Sequence, residues 1–371
     1  MHLKGVKYTL PKEYISLNAG DPDVEAPQYA INEALIGLIE GGKNTHYPHY
    51  SGYPEQFKKA VVDYYKKFTG VEYDPKSIVP AAGSSAALFV ALAAVLDRGD
   101  EVLMFNPYYM GHKNIFEGMG VKMNLVPLHR ETNYHPDVDV IAEVVTSKTK
   151  AALICNPSNP TGTVFKEEEL RTVGDLAVDN DFAIFADEIY LHFIYDDNKF
   201  VSIAGLNDEI KERTLGIMSF SKTFSMTGWR LGYDIIPDTY LERANLFRGM
   251  AAPRPSTFVY RAGIACLRGD FKYVEERKIE YENRRNYFTK AVDDLGWPCH
   301  KFEGAFYAWF DIRSTGMGSR EFLDKLEKTQ NVRLSPGDRF GADGFMRVPL
   351  VQPVPVLEDV VERLKSFRDS L

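Results

Sequence analysis

The sequence predicts an α/β protein with a largely parallel β-sheet, and two observations carry this prediction. Between about residues 80 and 236, short apolar runs alternate with stretches of helical periodicity, as in strands joined by crossover helices. The runs are apolar on both faces, which is typical of parallel strands covered by helices on both sides. The predicted strands are EVLMF (101–105), VKMNLVPL (121–128), KAALIC (150–155), FAIFA (182–186), LGIMSF (215–220) and GYDII (232–236).

Helical periodicity fills the spaces between these runs. The stretch KEEELRTVGDLAVDN (166–180) is amphipathic, whereas AALFVALAAVL (86–96) is apolar all round. The second stretch falls well short of the ~20 residues that span a bilayer. It therefore predicts a buried helix and no membrane partner.

The last third of the chain has a different pattern. A long charged helix is predicted at 272–295 and a closing helix at 357–367, with strands AFYAWFDI (305–312) and FMRVPLV (345–351) between them. This order predicts a smaller α+β unit.

The 371 residues exceed what one simple core usually holds, so we expect two domains. The predicted limits are 41–262 for the large domain and 263–371 for the small C-terminal domain. We expect the N-terminal segment, 1–40, to pack with the small domain.

Composition narrows the class of protein. The net charge of −8 and the pI near 5.6 argue against nucleic acid as the main partner. The first residues lack the apolar core of a secretory signal. The three cysteines, Cys155, Cys266 and Cys299, lie far apart without a CxxC pair, which predicts reduced thiols in the cytoplasm and no metal site.

One lysine stands in unusual company, in the stretch SFSKTFSMTGWRLGY (219–233). Lys222 could form an imine with a phosphorylated aldehyde, for which it must lose its proton near neutral pH. Ser219 and Arg230 could bind phosphate oxygens, Arg230 in a bidentate manner. The alternative is an ordinary solvated lysine.

A second phosphate-binding element is AAGSSAALFVAL, in which Ser84 and Ser85 stand directly before the apolar helix. A helix N-terminus offers free N–H groups and the positive end of the helix dipole. The alternative is that one of these serines is merely an N-cap.

Polar and aromatic residues follow three of the predicted strands. They are Tyr109 in FNPYYMG, Asn159 in CNPSNPTG and Asp187 in ADEIY. Ligands of α/β proteins bind at the carboxyl ends of strands, so Tyr109 could stack on a flat ring and Asn159 could donate to a phenolic oxygen. Asp187 could pair with a protonated ring nitrogen. The alternatives are packing, a plain connecting loop and a helix N-cap, respectively.

Arg347, in GADGFMRVPL, is a lone cation within an apolar, strand-like run. A buried arginine needs an anion. That anion could be the α-carboxylate of a substrate or an acidic side chain of the protein.

Taken together, GSS, NPSNPTG, ADEIY, SFSKTFSMTGWRLGY and FGADGFMR resemble the motifs of class I/II aminotransferases. These are pyridoxal-phosphate enzymes of fold type I, similar to aspartate aminotransferase. The resemblance extends from SLNAGDPDVEAP (16–27) to Arg347. It implies a large domain with a mostly parallel sheet and helices on both faces, a smaller α+β domain, and pyridoxal 5'-phosphate as the cofactor.

The resemblance also implies roles around the cofactor ring. Lys222 forms the internal aldimine and then moves the proton of the substrate α-carbon, while Asp187 pairs with the pyridine nitrogen. Tyr190 and Asn159 hydrogen-bond to the phenolic oxygen, and Tyr109 stacks on the ring.

Further implied roles concern the phosphate and the substrate. The phosphate is bound by the N–H groups of Ser84 and Ser85 with Ser219 and Arg230. Tyr47, in THYPHYSGYPEQF, would reach the phosphate of the neighbouring subunit, which implies a homodimer with shared active sites.

The implied substrates are an L-amino acid and a 2-oxoacid, with 2-oxoglutarate expected as the acceptor in a ping-pong reaction. Arg347 would bind the α-carboxylate with help from Asn159, and Gly20 would lie beside the substrate. Ser85 stands where prokaryotic aspartate aminotransferases often carry a lysine for the distal carboxylate. Dicarboxylate specificity is therefore open, unless Arg254 or Lys113 replaces that lysine.

The donor amino acid stays open at this point. Tyr47, Tyr50, Tyr108 and Tyr109 allow an aromatic or broad range. Carbon–sulfur β-lyases and cyclopropane-forming synthases share the fold and cofactor and are the alternative activity. A transcriptional regulator is disfavoured, because the aminotransferase-like segment begins by residue 15 and leaves no room for a DNA-binding module.

Overall fold

A computed structural model of the chain describes residues 14–251 and 254–371. The strands, in chain order, are β1 (Ile15–Ser16), β2 (Ile78–Ala81), β3 (Glu101–Asn106), β4 (Lys122–Pro127), β5 (Thr149–Cys155), β6 (Ala183–Asp187), β7 (Thr214–Ser219), β8 (Gly232–Ile235), β9 (Tyr307–Asp311), β10 (Val332–Arg333), β11 (Ser335–Pro336) and β12 (Phe345–Pro349).

The α-helices, in chain order, are α1 (Gln28–Glu40), α2 (Tyr53–Thr69), α3 (Ser84–Val95), α4 (Met110–Met119), α5 (Val138–Glu143), α6 (Glu167–Asp179), α7 (Asp208–Lys211), α8 (Phe220–Thr223), α9 (Asp238–Ala251), α10 (Thr257–Arg268), α11 (Lys272–Asp294), α12 (Ser319–Gln330) and α13 (Val354–Arg368). Within the described ranges, no helix has the length and apolar character needed to cross a bilayer.

The central sheet has seven strands in the order β2-β8-β7-β6-β5-β3-β4. The pairs β3–β4, β3–β5, β5–β6 and β6–β7 are parallel, and β8 runs antiparallel to both β7 and β2. The predicted α/β class with a mostly parallel sheet is confirmed, as are the six predicted strands, whose ends differ by at most one residue. The short edge strand β2 was not predicted.

Helices cover both faces of this sheet, as its two-sided apolar strands require. Helix α3 is apolar all round and mostly buried, which confirms the prediction of a buried helix. It packs with α9 on one face, against a core that includes Val102 and Leu215. On the other face, α6 packs through Leu170 and Val173 against a core that includes Ile184.

The smaller unit is built on the antiparallel sheet β11-β12-β9. The register places Arg347 opposite Trp309. Helix α11 packs through Tyr281, Phe288 and Val292 into one core with α12 and α13. The predicted strands and helices of this unit are confirmed.

The N-terminal segment contacts two parts of the molecule, while its first 13 residues lie outside the described range. Strand β1 pairs in parallel with β10 of the small unit. Helix α1 packs on α10, where Arg261 forms ion pairs with Glu33 and Glu40. The expected boundary between residues 262 and 263 falls inside α10, and the domain limits stay a prediction.

Candidate active site

A cavity of about 360 Å³ lies at the carboxyl ends of β5, β6 and β7, between the central sheet and the smaller unit. Its walls include every site residue predicted from the sequence except Ser219 and Tyr47. Those that line it are Gly20, Ser84, Ser85, Tyr109, Asn159, Asp187, Tyr190, Lys222, Arg230 and Arg347. Segments far apart in the sequence thus converge where parallel strands end, as the fold class predicts.

Lys222 lies in α8, a single helical turn that follows β7 directly, and its amine donates to the carbonyl oxygen of Gly20. Burial is the main cause that lowers the pKa of this amine, to about 8. The carboxylate of Asp21 opposes the effect, whereas the guanidinium groups of Arg347 and Arg230 reinforce it. With such a pKa, roughly a tenth of the amine is neutral at pH 7. The lysine is therefore suited to nucleophilic attack and to proton transfer.

The N-terminus of α3 and the side chain of Arg230 form one corner of the cavity. Arg230 donates to the carbonyl oxygens of Thr227 and Ala82 at 3.0 and 3.3 Å. Gly83 precedes the helix with a φ of +87°, and a Cβ there would lie 2.5 Å from a guanidinium nitrogen of Arg230. The first-turn N–H groups of a helix have no partners within the helix. Together with the guanidinium they could hold a phosphate.

Ser219 does not line the cavity, although the sequence analysis assigned it to the phosphate. It is the last residue of β7, and its hydroxyl accepts a hydrogen bond from the N–H of Ser221 at 3.1 Å, which caps α8. Ser221 faces the cavity instead. The structure therefore brings a different serine of the same stretch to the site.

Asp187 ends β6 and is buried beside His112. Its Oδ2 lies 2.9 Å from Nε2 of His112, in the first turns of α4. The N–H of Ile189 donates to the other carboxylate oxygen at 3.4 Å. The histidine orients the carboxylate, which can hold a positive charge placed in the cavity.

His112 was not identified from the sequence. It stands three residues after Tyr109, the N-cap residue of α4, and the two rings meet edge to face at 5.2 Å. One helical turn separates them, so the spacing was a usable signal once Tyr109 had been selected.

One amide and two phenol groups lie in the cavity wall next to Asp187. The Tyr190 hydroxyl lies 2.7 Å from the hydroxyl of Tyr307. Asn159 accepts a hydrogen bond through Oδ1 from Arg347 at 3.1 Å, which leaves its amide nitrogen free to donate. Tyr307 is a further residue that the sequence analysis missed.

Arg347 is buried in the small-unit wall, with its guanidinium between the rings of Tyr307 and Phe340 at 4.7 and 4.5 Å. It also donates to the carbonyl oxygen of Asn18 at 2.8 Å and to Ser335 Oγ at 3.2 Å. Burial lowers its pKa. None of the ion pairs within residues 14–251 and 254–371 involves Arg347, so the acidic side chain considered as an alternative anion is not found there.

Asn18 and Asp21, which flank Gly20, also line the cavity. Both belong to the segment SLNAGDPDVEAP, of which the sequence analysis selected only Gly20. Thr227 donates to Asp21 at 2.6 Å, and Asp23 pairs with the buried Arg284 at 2.9 Å. The segment is thereby tied to the stretch between β7 and β8 and to helix α11.

Tyr47 lies on the surface, outside the cavity, and the residue is 75% exposed. Together with Leu38, Phe258 and Arg254 it lines a separate groove of about 820 Å³. The chain does not bring Tyr47 to its own cavity.

The sequence profile of the family described as aminotransferase class I and II matches residues 12–364. An aspartate aminotransferase of Pyrococcus abyssi is 37% identical over 360 residues, which cover 96% of this chain and 92% of the relative. Aromatic-amino-acid aminotransferase 2 of Thermococcus litoralis is 36% identical over 357 residues, covering 95% and 91%.

Solved structures agree with these relatives. An aromatic aminotransferase from Pyrococcus horikoshii matches with a TM-score of 0.89 and 34% identity, over 97% of this chain and 96% of that one. An aspartate aminotransferase from Thermus thermophilus with maleate matches with a TM-score of 0.89 and 27% identity, over 96% and 92%. By sequence profile, relatives and fold, this chain belongs to the class I and II aminotransferases, a family of pyridoxal-phosphate enzymes.

Proposed function

We propose that this aminotransferase moves the amino group of an L-amino acid to a 2-oxoacid, with pyridoxal 5'-phosphate held in the cavity described above. The observation that carries the proposal is the convergence of three groups in one cavity. They are an amine of lowered pKa at Lys222, a buried carboxylate at Asp187 and a buried guanidinium at Arg347 that has no acidic partner among the described residues. An amino acid substrate needs the amine of Lys222 and the guanidinium of Arg347. The ring nitrogen of the cofactor needs the carboxylate of Asp187.

The residues around the cavity fit this cofactor. Ser84, Ser85 and Arg230 would hold its phosphate, and Ser221 is close enough to the cavity to contribute in place of Ser219. Tyr109 would stack on the ring, and a Cβ at Gly83 would fill the space that Arg230 occupies.

Asp187, Tyr190 and Asn159 would bind the polar edges of the ring. The Asp187 carboxylate keeps a ring nitrogen protonated, and His112 holds that carboxylate in place. Tyr190 and the amide nitrogen of Asn159 donate to the phenolic oxygen. When bound, the cofactor supplies the electron sink that makes the substrate α-proton acidic.

Lys222 would carry that proton. Its amine lies in the cavity wall and burial lowers its pKa to about 8, so it can take a proton from the substrate α-carbon and return it. The two neighbouring arginines, Arg230 and Arg347, favour the neutral amine.

Arg347 would bind the substrate α-carboxylate, and Asn159, which contacts its guanidinium, would assist. Gly20 would lie beside the substrate. 2-Oxoglutarate is the acceptor that we propose. Since the named relatives include aspartate and aromatic enzymes, the donor has to be determined directly.

We further propose a homodimer in which Tyr47 serves the cofactor phosphate of the neighbouring subunit. The support is its exposure together with that of Tyr50, Leu38 and Ile39, of which Ile39 is 83% exposed. Exposed apolar patches of this kind commonly mark protein interfaces. The cytoplasmic location stays a prediction from the cysteine pattern.

The test of the proposed function has two parts. The purified protein is incubated with aspartate, aromatic amino acids or alanine and 2-oxoglutarate, and the products are identified. Formation of glutamate and the matching 2-oxoacid is the expected result. Release of pyruvate and a thiol from cystathionine without any amino transfer would contradict it and favour the lyase.

The second part locates the cofactor on the chain. The yellow protein is reduced with borohydride and digested, and the labelled peptide is sequenced. We expect the label on Lys222, because its amine is in the cavity and has the lowered pKa. A label on any other lysine would contradict the assignment, and Lys222→Ala serves as the unlabelled control.

A further inference from the structure

Tyr307, the first residue of β9, connects three parts of the site. Its hydroxyl lies 2.7 Å from that of Tyr190, and its ring faces the guanidinium of Arg347 at 4.7 Å. A Cβ at Gly20 would lie 2.4 Å from the Tyr307 hydroxyl, so only glycine fits at this position of the N-terminal segment. The side chain is buried and lines the cavity.

The direction of the hydrogen bond between the Tyr190 and Tyr307 hydroxyls follows from the number of hydrogens that each can donate. Burial raises the pKa of both phenols well above the usual range, so both are protonated at neutral pH. Each phenol has one O–H to donate. If Tyr190 donates its hydrogen to the phenolic oxygen of the cofactor, only Tyr307 can donate across the 2.7 Å contact.

We propose that Tyr307 is a positioning residue with two separable tasks, an inference that rests on the proposed function. Its hydroxyl donates to Tyr190 and strengthens the hydrogen bond that Tyr190 donates to the phenolic oxygen. Its ring face holds the guanidinium of Arg347 in the position that binds the substrate α-carboxylate. Chains of hydrogen bonds polarise one another, and a cation over an aromatic face is attracted to it.

The hydroxyl task has a spectroscopic consequence. A donor to the phenolic oxygen stabilises negative charge there and therefore favours loss of the proton held beside it at Nζ of Lys222. Removing the donor makes that proton harder to lose. The pH at which the visible absorbance of the bound cofactor changes should then rise.

The experiment titrates the visible absorbance of the holoenzyme with pH in wild type, Tyr307→Phe, Tyr190→Phe and the double variant. We expect Tyr307→Phe to raise the midpoint by roughly 0.5 to 1 pH unit, since one hydrogen bond is lost. Tyr190→Phe should raise it more. The double variant should match Tyr190→Phe alone, because Tyr307 acts through Tyr190.

Tyr281→Phe is the matched control. Tyr281 is buried in the same core as Tyr307, and its hydroxyl has no hydrogen-bond partner among the described residues. Its loss should leave the midpoint unchanged. If the midpoint also rose in Tyr281→Phe, the shift in Tyr307→Phe would reflect only the general effect of removing a buried phenol from this core.

The ring task is tested by KM. Tyr307→Phe keeps the ring, so the KM for the donor amino acid should stay within about twofold, whereas Tyr307→Leu should raise it about three- to thirtyfold.

An unchanged midpoint in Tyr307→Phe, with a raised midpoint in Tyr190→Phe, would overturn the hydroxyl task. Equal KM values for Tyr307→Phe and Tyr307→Leu would overturn the ring task. A wild-type protein without any absorbance band would overturn the proposed function itself.

Discussion

The two walls of the cavity are built in different ways. On the large-domain wall, Asn159, Asp187 and Lys222 each lie at or shortly after the carboxyl end of a neighbouring strand of the central sheet. On the opposite wall, Arg347 and Tyr307 face the cavity from the antiparallel strands β12 and β9. In the proposed function, the first wall would supply the groups that act on protons and charge, and the second would supply the group that binds a carboxylate.

This difference predicts different kinetic signatures. A residue that stabilises charge only while the reaction proceeds should affect kcat, whereas a residue that binds substrate throughout should affect mainly KM. Variants of the two walls can therefore be compared by how their losses divide between these two parameters.

The largest effect is expected on the large-domain wall. Asp187→Ala should lower kcat about a hundred- to a thousandfold or more, because the positive charge that serves as the electron sink loses its partner. The phosphate site at Arg230 and α3 is untouched, so the protein should stay yellow. The measurement is steady-state kinetics together with the absorbance of the bound cofactor. Wild-type turnover in Asp187→Ala would show that the electronic role is misassigned.

Arg347→Leu should show the opposite division. Two charge-assisted hydrogen bonds to the substrate carboxylate are worth roughly 3–5 kcal/mol together, so we expect kcat/KM to fall about a hundred- to five-thousandfold, mainly through KM. Arg347→Lys keeps the charge but loses the bidentate fork. Its kcat/KM should lie between the values of wild type and Arg347→Leu. A loss confined to kcat would contradict the distinction between the two walls.

The large-domain wall was largely predictable because a general rule applies to it. Parallel strands end at one edge of the sheet, so Asn159, Asp187 and Lys222 converge wherever strands are predicted correctly. The rule does not say which of several neighbouring residues in the turn after a strand faces the cavity. Ser219 and Ser221 both lie within three residues of Lys222, and only the structure shows that Ser219 caps α8 while Ser221 faces the cavity.

The opposite wall was less predictable. Arg347 was selected because a charge in an apolar strand requires an anion, but Tyr307 is one apolar aromatic among many in AFYAWFDI. Its role follows from how the small unit docks on the central sheet, and no local pattern encodes that docking. His112 was missed for a related reason, since it reaches Asp187 from a helix and not from a strand end.

The smallest effect is expected at a third wall, which the proposed second subunit would contribute. Tyr47→Phe should weaken cofactor affinity about ten- to a hundredfold, the cost of one hydrogen bond to a charged phosphate of roughly 1.5–3 kcal/mol. Tyr50→Phe is the matched control, because Tyr50 is exposed on the same segment and has no assigned role at the cofactor. Equal affinity losses in both variants would point to a general effect of the segment.

Subunit mixing separates a shared site from a site within one chain. Tyr47→Ala and Lys222→Ala are each deficient, the first in cofactor binding and the second in chemistry. After dissociation and reassociation, a mixed dimer contains one site in which an intact Lys222 meets an intact Tyr47 of the other subunit. Half of the dimers are mixed at equal concentrations, so up to about a quarter of wild-type activity should return in a C2 dimer. If subunits exchange, as shown by differently tagged chains, and no activity returns, Tyr47 does not serve the neighbouring site. The exposed loop would then have to be explained by contacts within its own subunit, and the cavity would have only the two walls that one chain provides.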